Sequence, residues 1–316
     1  MKSILIPNMS KHINFSNPFN GRKWLKLLNS DIKYGILFKK NLKYDKKKLG
    51  FSFSSNNYGL RGPCNVHASN IILGTSFAMG LSVDEGSNWY DLAIDNNKWF
   101  NASMPVGPQN NIELINDFYK GDFKTLLYVY HPNIWKISRS FDTALRKKKD
   151  IFSHLKWKTS FSSVLPLYLK WISKENIKIK LGYSVYKRNN GKEYHLDTRY
   201  NYLDFISNTK FVNKQISLLN QIFKKFSKVI IIRVPVKEEI FPINNNNLID
   251  LKNNYNLFWN LFKNNNDNNN LYFYDYSKKH FSIDDYLQYD THWNQQGNQT
   301  FANLVKKILL DNNINS

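Results

Sequence analysis

Cysteine is all but absent: Cys64 is the single one in 316 residues. One thiol excludes an intrachain disulfide framework and any cluster of cysteine ligands around a metal. Long apolar runs are missing as well. The N-terminal stretch MKSILIPNMSKHINF holds one short apolar segment, broken at Pro7, where a secretion signal needs a continuous hydrophobic region and a membrane span needs roughly 20 apolar residues. A cytoplasmic protein with no membrane segment is the expectation. His12, His67, His154, His195 and His280 have no spacing that gathers metal ligands, so no metal is expected. No repeat of solenoid length recurs.

Acidic residues are outnumbered, 24 Asp and Glu against 45 Lys and Arg, which gives a formal net charge of +21. Such an excess suits an anionic partner: nucleic acid, an acidic polysaccharide or a membrane surface. The lysines, however, come with abundant Asn, Ile, Tyr and Phe. Codons rich in A and T produce that mixture in any protein of such a genome, so charge alone names no partner. No nucleic-acid-binding motif accompanies it, and a nucleic-acid partner is not expected.

What the chain does have is core-forming material. The apolar fraction is 42% and the aromatic fraction 16%, well above the composition of disordered chains. The length fits one α/β domain with a large insertion. Residues 1–55 are polar, basic and aperiodic, with a Lys-rich stretch from Lys43 to Lys48, and are expected to be an irregular basic extension preceding a domain at 56–316. The segments NIIL at 70–73, KTLLYVY at 124–130, KVIIIRV at 228–234 and 271–274 read as strands, the first of them a buried central one. Between them, helical patterns occupy 89–97, 110–119, 202–226, 251–262 and 295–310, with Ile112, Ile115 and Phe118 on one face of the second. Alternating strands and helices predict a parallel sheet covered by helices. The Asn-rich runs at 244–247 and 264–270 read as spacer loops unable to supply core side chains. From 135 to 200 the chain turns rich in Trp, Tyr, Lys and Arg, including Trp135, Trp157, Tyr168, Trp171 and the basic run Arg146 to Lys149. This is the expected insertion. Its aromatic residues suit either sugar stacking or a small core of its own.

Two places can carry chemistry. In ILGTSFAMG at 72–80 a buried strand runs into Gly74, Thr75 and then Ser76. The carboxyl end of a strand in a doubly wound sheet opens onto the ligand crevice, and a serine there is presented on a rigid element. In YDTHWNQQGNQTFANLV at 289–305, Asp290 and His292 lie just before Asn294, a good N-cap for the following helix. An imidazole there can take a serine proton while a carboxylate holds its other N–H. Asp284 and Asp285 are alternative carboxylates nearby, and His131 falls close to the expected crevice.

In these blocks the chain resembles the SGNH (GDSL-like) hydrolase superfamily, over roughly 56–134 and 200–310. GTSFAMG resembles the nucleophile block, with Thr75 where the family has Asp before the serine. Asp290-Thr291-His292-Trp293 resembles the block that supplies the base, with a one-residue gap like that of the branch that O-acetylates polysaccharides. NNYGLRGP at 56–63 resembles sequences of bacterial SGNH proteins from surface-polysaccharide loci. The resemblance implies a three-layer α/β/α, flavodoxin-like fold with a lid-like insertion. It also implies catalysis by Ser76, His292 and Asp290, with an oxyanion site made by the N–H of Ser76, the N–H of Gly107 and the amide of Asn133. His131-Pro132-Asn133-Ile134 stands where the family has Gly-x-Asn-Asp. The implied partner is an acyl-ester small molecule or an acylated carbohydrate, the reaction being hydrolysis or acyl transfer through an acyl-serine. The alternative is a non-catalytic basic protein that binds an acidic glycan on the same scaffold.

Overall fold

The computed structural model describes residues 28–31, 34–45, 51–104, 108–132, 183–187, 191, 193–197, 209–240, 246–266, 268–276, 280–287 and 292–314. Along the chain, β1 (Leu28–Asp31) pairs antiparallel with β2 (Gly35–Phe38), and β3 (Lys43–Tyr44) with β4 (Phe53–Ser54). Next come β5 (Asn70–Gly74), α1 (Trp89–Ala93), β6 (Trp99–Asn101), α2 (Pro108–Phe118) and β7 (Thr125–Tyr130). An antiparallel hairpin, β8 (Tyr183–Lys187) and β9 (Glu193–Asp197), precedes α3 (Thr209–Phe223) and β10 (Lys228–Arg233). The short α4 (Lys237–Ile240), α5 (Asn246–Asn264), β11 (Leu271–Asp275), a single 3₁₀ turn (Ile283–Asp285) and α6 (Gln295–Asp311) complete the described chain.

β5, β6, β7, β10 and β11 form one parallel five-stranded sheet in the spatial order β11-β10-β7-β5-β6. The chain therefore starts inside the sheet, moves out to β6, and then crosses back to build the other side from β7 onward. β5 and β7 are the neighbours between which the winding reverses. In an open parallel sheet that reversal leaves a crevice beyond the carboxyl ends of the two strands, because their connections leave in opposite directions.

The runs of β5, β7 and β10 are apolar on both faces because both faces are covered, whereas β11 at the sheet edge leaves Tyr272 exposed. Ile71, Leu73, Leu126, Tyr128, Tyr130, Val229 and Ile231 pack on one side with Leu114 and Ile115 of α2, Leu219 and Phe223 of α3, and Phe258, Trp259 and Phe262 of α5. Ile72, Leu127, Val129, Ile230 and Ile232 point to the other side and meet Trp89 and Ala93 of α1 and Phe301, Val305 and Leu309 of α6. The period-two alternation of a strand thus feeds two separate cores and gives three layers.

Several elements differ from the sequence reading. The segment read as an irregular extension carries β1 to β4, and Leu37, Phe38 and Phe53 are buried in the core of the first face. These strands are two to four residues long, too short to show a period. The helix expected over 89–97 stops at Ala93, where Ile94 turns extended. The helix expected from 251 begins at Asn246, inside one Asn run. The second run does supply buried groups. Asn266 is buried and its amide donates to the Phe262 carbonyl, while Asn270 Nδ2 donates to the carbonyls of Phe223 and Phe226 at 3.2 and 2.7 Å, capping the end of α3 where backbone acceptors lack helical partners. Within the expected insertion the described residues are the β8–β9 hairpin and Gly191. Trp135, Trp157, Tyr168, Trp171 and Arg146 to Lys149 lie outside the described residues.

Candidate active site

β5 ends at Gly74, and the turn beyond it depends on that glycine. Its φ is +154°, and a Cβ placed there would meet Ala78 Cβ at 2.6 Å and the Val129 carbonyl oxygen at 2.7 Å. Without a side chain, the chain folds back tightly against β7. The next residues form a compact turn: Met79 N–H donates to Thr75 O at 3.1 Å, Gly80 N–H to Phe77 O at 3.0 Å and Leu81 N–H to Ser76 O at 3.1 Å. Thr75, Phe77 and Ala78 are buried, whereas Ser76 is partly exposed. Ser76 is thus the outward residue of an otherwise enclosed turn. Among the described residues its N–H has no backbone acceptor.

His292 comes from the other end of the chain, on a loop fixed largely through main-chain atoms. Ser282 begins the 3₁₀ turn with a capping box closed by Asp285. Leu287 N–H donates to His292 O at 2.9 Å, Asn294 N–H donates to Asp285 O at 2.9 Å, and Tyr286 bridges antiparallel to Trp293. Asn294 then caps α6 by accepting from Gly297 N–H at 3.0 Å. Gly297 is required by packing, because a Cβ there would lie 2.2 Å from Asp285 O. The start of α6 is tied in turn to the serine turn: Trp89 N–H donates to Asn298 Oδ1 at 3.1 Å, and the Trp89 indole N–H donates to Phe77 O at 3.0 Å.

The two loops bring Ser76 and His292 together across 216 positions of sequence, with Ser76 Oγ and His292 Nε2 2.7 Å apart, within the range of a strong hydrogen bond. His292 is 8% exposed, so the pair is shielded on the imidazole side and open on the hydroxyl side.

Phe77 stands behind the pair. Its ring stacks on His131 at 4.2 Å and 16°, tilts against His292 at 5.1 Å, and receives the edge of Trp293 at 5.0 Å. His131 lies just past β7 and is 2% exposed. Burial, together with the nearby His292, holds its pKa well below the ordinary histidine value, so it remains a neutral ring. The sequence placed His131 near the crevice but gave no sign of its stack on Phe77.

Of the other residues singled out in the sequence, Asp290, Gly107 and Asn133 lie outside the described residues. The alternative carboxylates are engaged in holding the loop. Asp284 Oδ1 accepts from the Tyr194 hydroxyl at 2.7 Å, and Asp285 accepts from Ser282 N–H at 2.6 Å and from Thr300 Oγ1 at 3.3 Å. Burial pushes the Cys64 thiol up to about 12, which removes it as a nucleophile near neutral pH. Among the described residues no group of three or more His, Cys, Asp or Glu could hold a metal ion, and no helix is long and apolar enough to cross a membrane. Comparisons of the chain with protein-family models, with curated proteins and with solved structures return no match.

Proposed function

We propose that the protein is a serine-dependent enzyme of ester chemistry, a hydrolase or acyltransferase of the SGNH type, working through an acyl-serine intermediate. The observation that carries this reading is the 2.7 Å approach of Ser76 Oγ to His292 Nε2 beyond the carboxyl end of β5. A buried imidazole held against a partly exposed serine hydroxyl is the arrangement that general-base activation of a nucleophile needs. The sheet supports the same reading. Numbered by chain order its strands run 2-1-3-4-5, the flavodoxin-like order in which ligands bind at the first-to-third strand crevice. Ser76 and His131 flank that crevice.

In this reading the Ser76 O–H donates to Nε2 of His292, and its oxygen attacks the ester carbonyl. Nε2 receives the proton as the carbon–oxygen bond forms, then returns it to the leaving alcohol. Water or a second alcohol attacks the acyl-serine in the reverse sense, and Ser76 is regenerated. The Ser76 N–H stabilises the oxyanion, joined by the N–H of Gly107 and the amide of Asn133, while Asp290 orients the His292 ring and stabilises its charged form. The aromatic and basic side chains of the insertion at 135–200 suit an acylated carbohydrate as substrate. No metal or organic cofactor takes part.

Hydrolysis of a short-chain nitrophenyl ester by wild type, Ser76→Ala and His292→Ala tests the proposal. Each substitution is expected to lower kcat/KM by about 10³-fold or more, since nucleophile and base act as one unit. Wild-type turnover by Ser76→Ala would remove the reading.

A further inference from the structure

The hairpin β8–β9 interrupts the regular alternation of the domain, yet one of its side chains is among the most deeply enclosed. Tyr194 of β9 is fully buried and belongs to the core on the first face of the sheet. Its hydroxyl donates to Asp284 Oδ1 at 2.7 Å, in the 3₁₀ turn that opens the histidine loop. Its ring lies 5.5 Å from the ammonium of Lys237, a cation–π distance.

Lys237 is itself fully buried, at the start of α4 just beyond β10. Removing a charged lysine from water is costly unless good partners replace the lost hydration. The Tyr194 ring is one such partner, and the Leu287 carbonyl, to which Nζ donates at 2.7 Å, is another. The Leu287 N–H donates to the His292 carbonyl at 2.9 Å. A continuous chain of contacts thus runs from Tyr194 through Lys237 and Leu287 to His292, and a second runs from Tyr194 to Asp284 in the same loop.

The elements that carry the chain are braced independently of it. Glu239 of α4 is ion-paired with the buried Arg233 and accepts from Val236 N–H at 2.9 Å, and Arg233 also reaches Asn256 at 3.0 Å. The Tyr286 hydroxyl donates to Pro235 O at 2.6 Å. Removing the Tyr194 hydroxyl therefore leaves α4 and the 3₁₀ turn anchored, and its effect falls on the position of the loop.

We infer that Tyr194 and Lys237 are positioning residues for His292, through which the β8–β9 hairpin sets the placement of the imidazole against Ser76. The inference rests on the proposed roles of Ser76 and His292, and it gives the hairpin a part in the chemistry without requiring it to touch substrate. Rigid placement matters because an error of about 1 Å in a base can cost about 10²-fold in rate.

The test is the second-order rate of Ser76 labelling by a fluorophosphonate, located by peptide mass mapping, in wild type and in Tyr194→Phe, Lys237→Met and Lys237→Arg. Tyr194→Phe retains the ring and deletes one hydrogen bond, so it should fold normally and label about fivefold to tenfold more slowly. Lys237→Met should be slower still, and Lys237→Arg, which keeps a cationic donor, should recover part of the loss. The decisive comparison places Tyr194→Phe in a His292→Ala background. With no imidazole left to position, the tyrosine substitution should no longer change the residual rate. An equal effect in both backgrounds would show a general structural role and overturn the inference, as would wild-type labelling of Tyr194→Phe. Failure of the wild type to label at Ser76 is a separate result that removes the proposed function itself.

Discussion

Gly74 and Val129 stand in register on adjacent strands, and the backbone of the first lies so close to the second that a Cβ on Gly74 would come within 2.7 Å of the Val129 carbonyl oxygen. This contact seats the serine turn on the sheet.

Gly74→Ala is therefore expected to destabilise the fold by about 2 kcal/mol or more, through a positive φ and overpacking against Ala78 and β7. Where the variant still folds, Ser76 is pushed away from His292, so ester turnover should fall by more than the loss of folded protein explains. Chemical denaturation with activity measured on the folded fraction checks both parts. A variant with wild-type stability would show that the close approach is relieved without cost.

Acid sensitivity is expected to arise at His131. Its folded pKa lies well below the ordinary value of 6.5, first because burial penalises the charged ring and second because His292 is near. As pH falls, the unfolded chain takes up this proton before the folded one. The stability held in the neutral ring is complete above about pH 6.5 and is lost below it, toward the folded pKa, at up to about 1.4 kcal/mol per pH unit. His131→Phe keeps a ring against Phe77 and removes the titration. Denaturant unfolding at about pH 7.5 and about pH 5 should show a smaller acid loss in this variant than in wild type. An equal loss in both would mean that His131 does not carry the linkage.

The central strands were legible because burial on both faces leaves an uninterrupted apolar run: NIIL, TLLYVY and KVIIIR are β5, β7 and β10 almost residue for residue. The peripheral strands were not. Lys43–Tyr44 and Phe53–Ser54 hold their places by pairing and by one buried ring, Phe53, and two residues cannot display a period. The Asn runs misled for a related reason. Low complexity suggested spacers, whereas Asn270 is used for its amide, which closes the end of α3.

Ser76 and His292 could be found in the sequence because each sits beside a recognisable local signal, the end of a buried strand for one and an Asn N-cap for the other. What holds them in place could not be found. Lys237 and Trp89 act on main-chain carbonyls, those of Leu287 and Phe77, and a carbonyl acceptor looks the same in every residue type. Tyr194 lay in a stretch read as an insertion, where nothing in composition distinguishes a tyrosine that faces substrate from one that braces a loop.

The most direct measurement is the rate and site of fluorophosphonate labelling in wild type and His292→Ala. Labelling confined to Ser76, and slowed by about 10²-fold or more in His292→Ala, is the expected result, because in the proposed mechanism Nε2, 2.7 Å from the Ser76 hydroxyl, takes its proton. No adduct on Ser76, an adduct on another residue, or wild-type labelling in His292→Ala would contradict it.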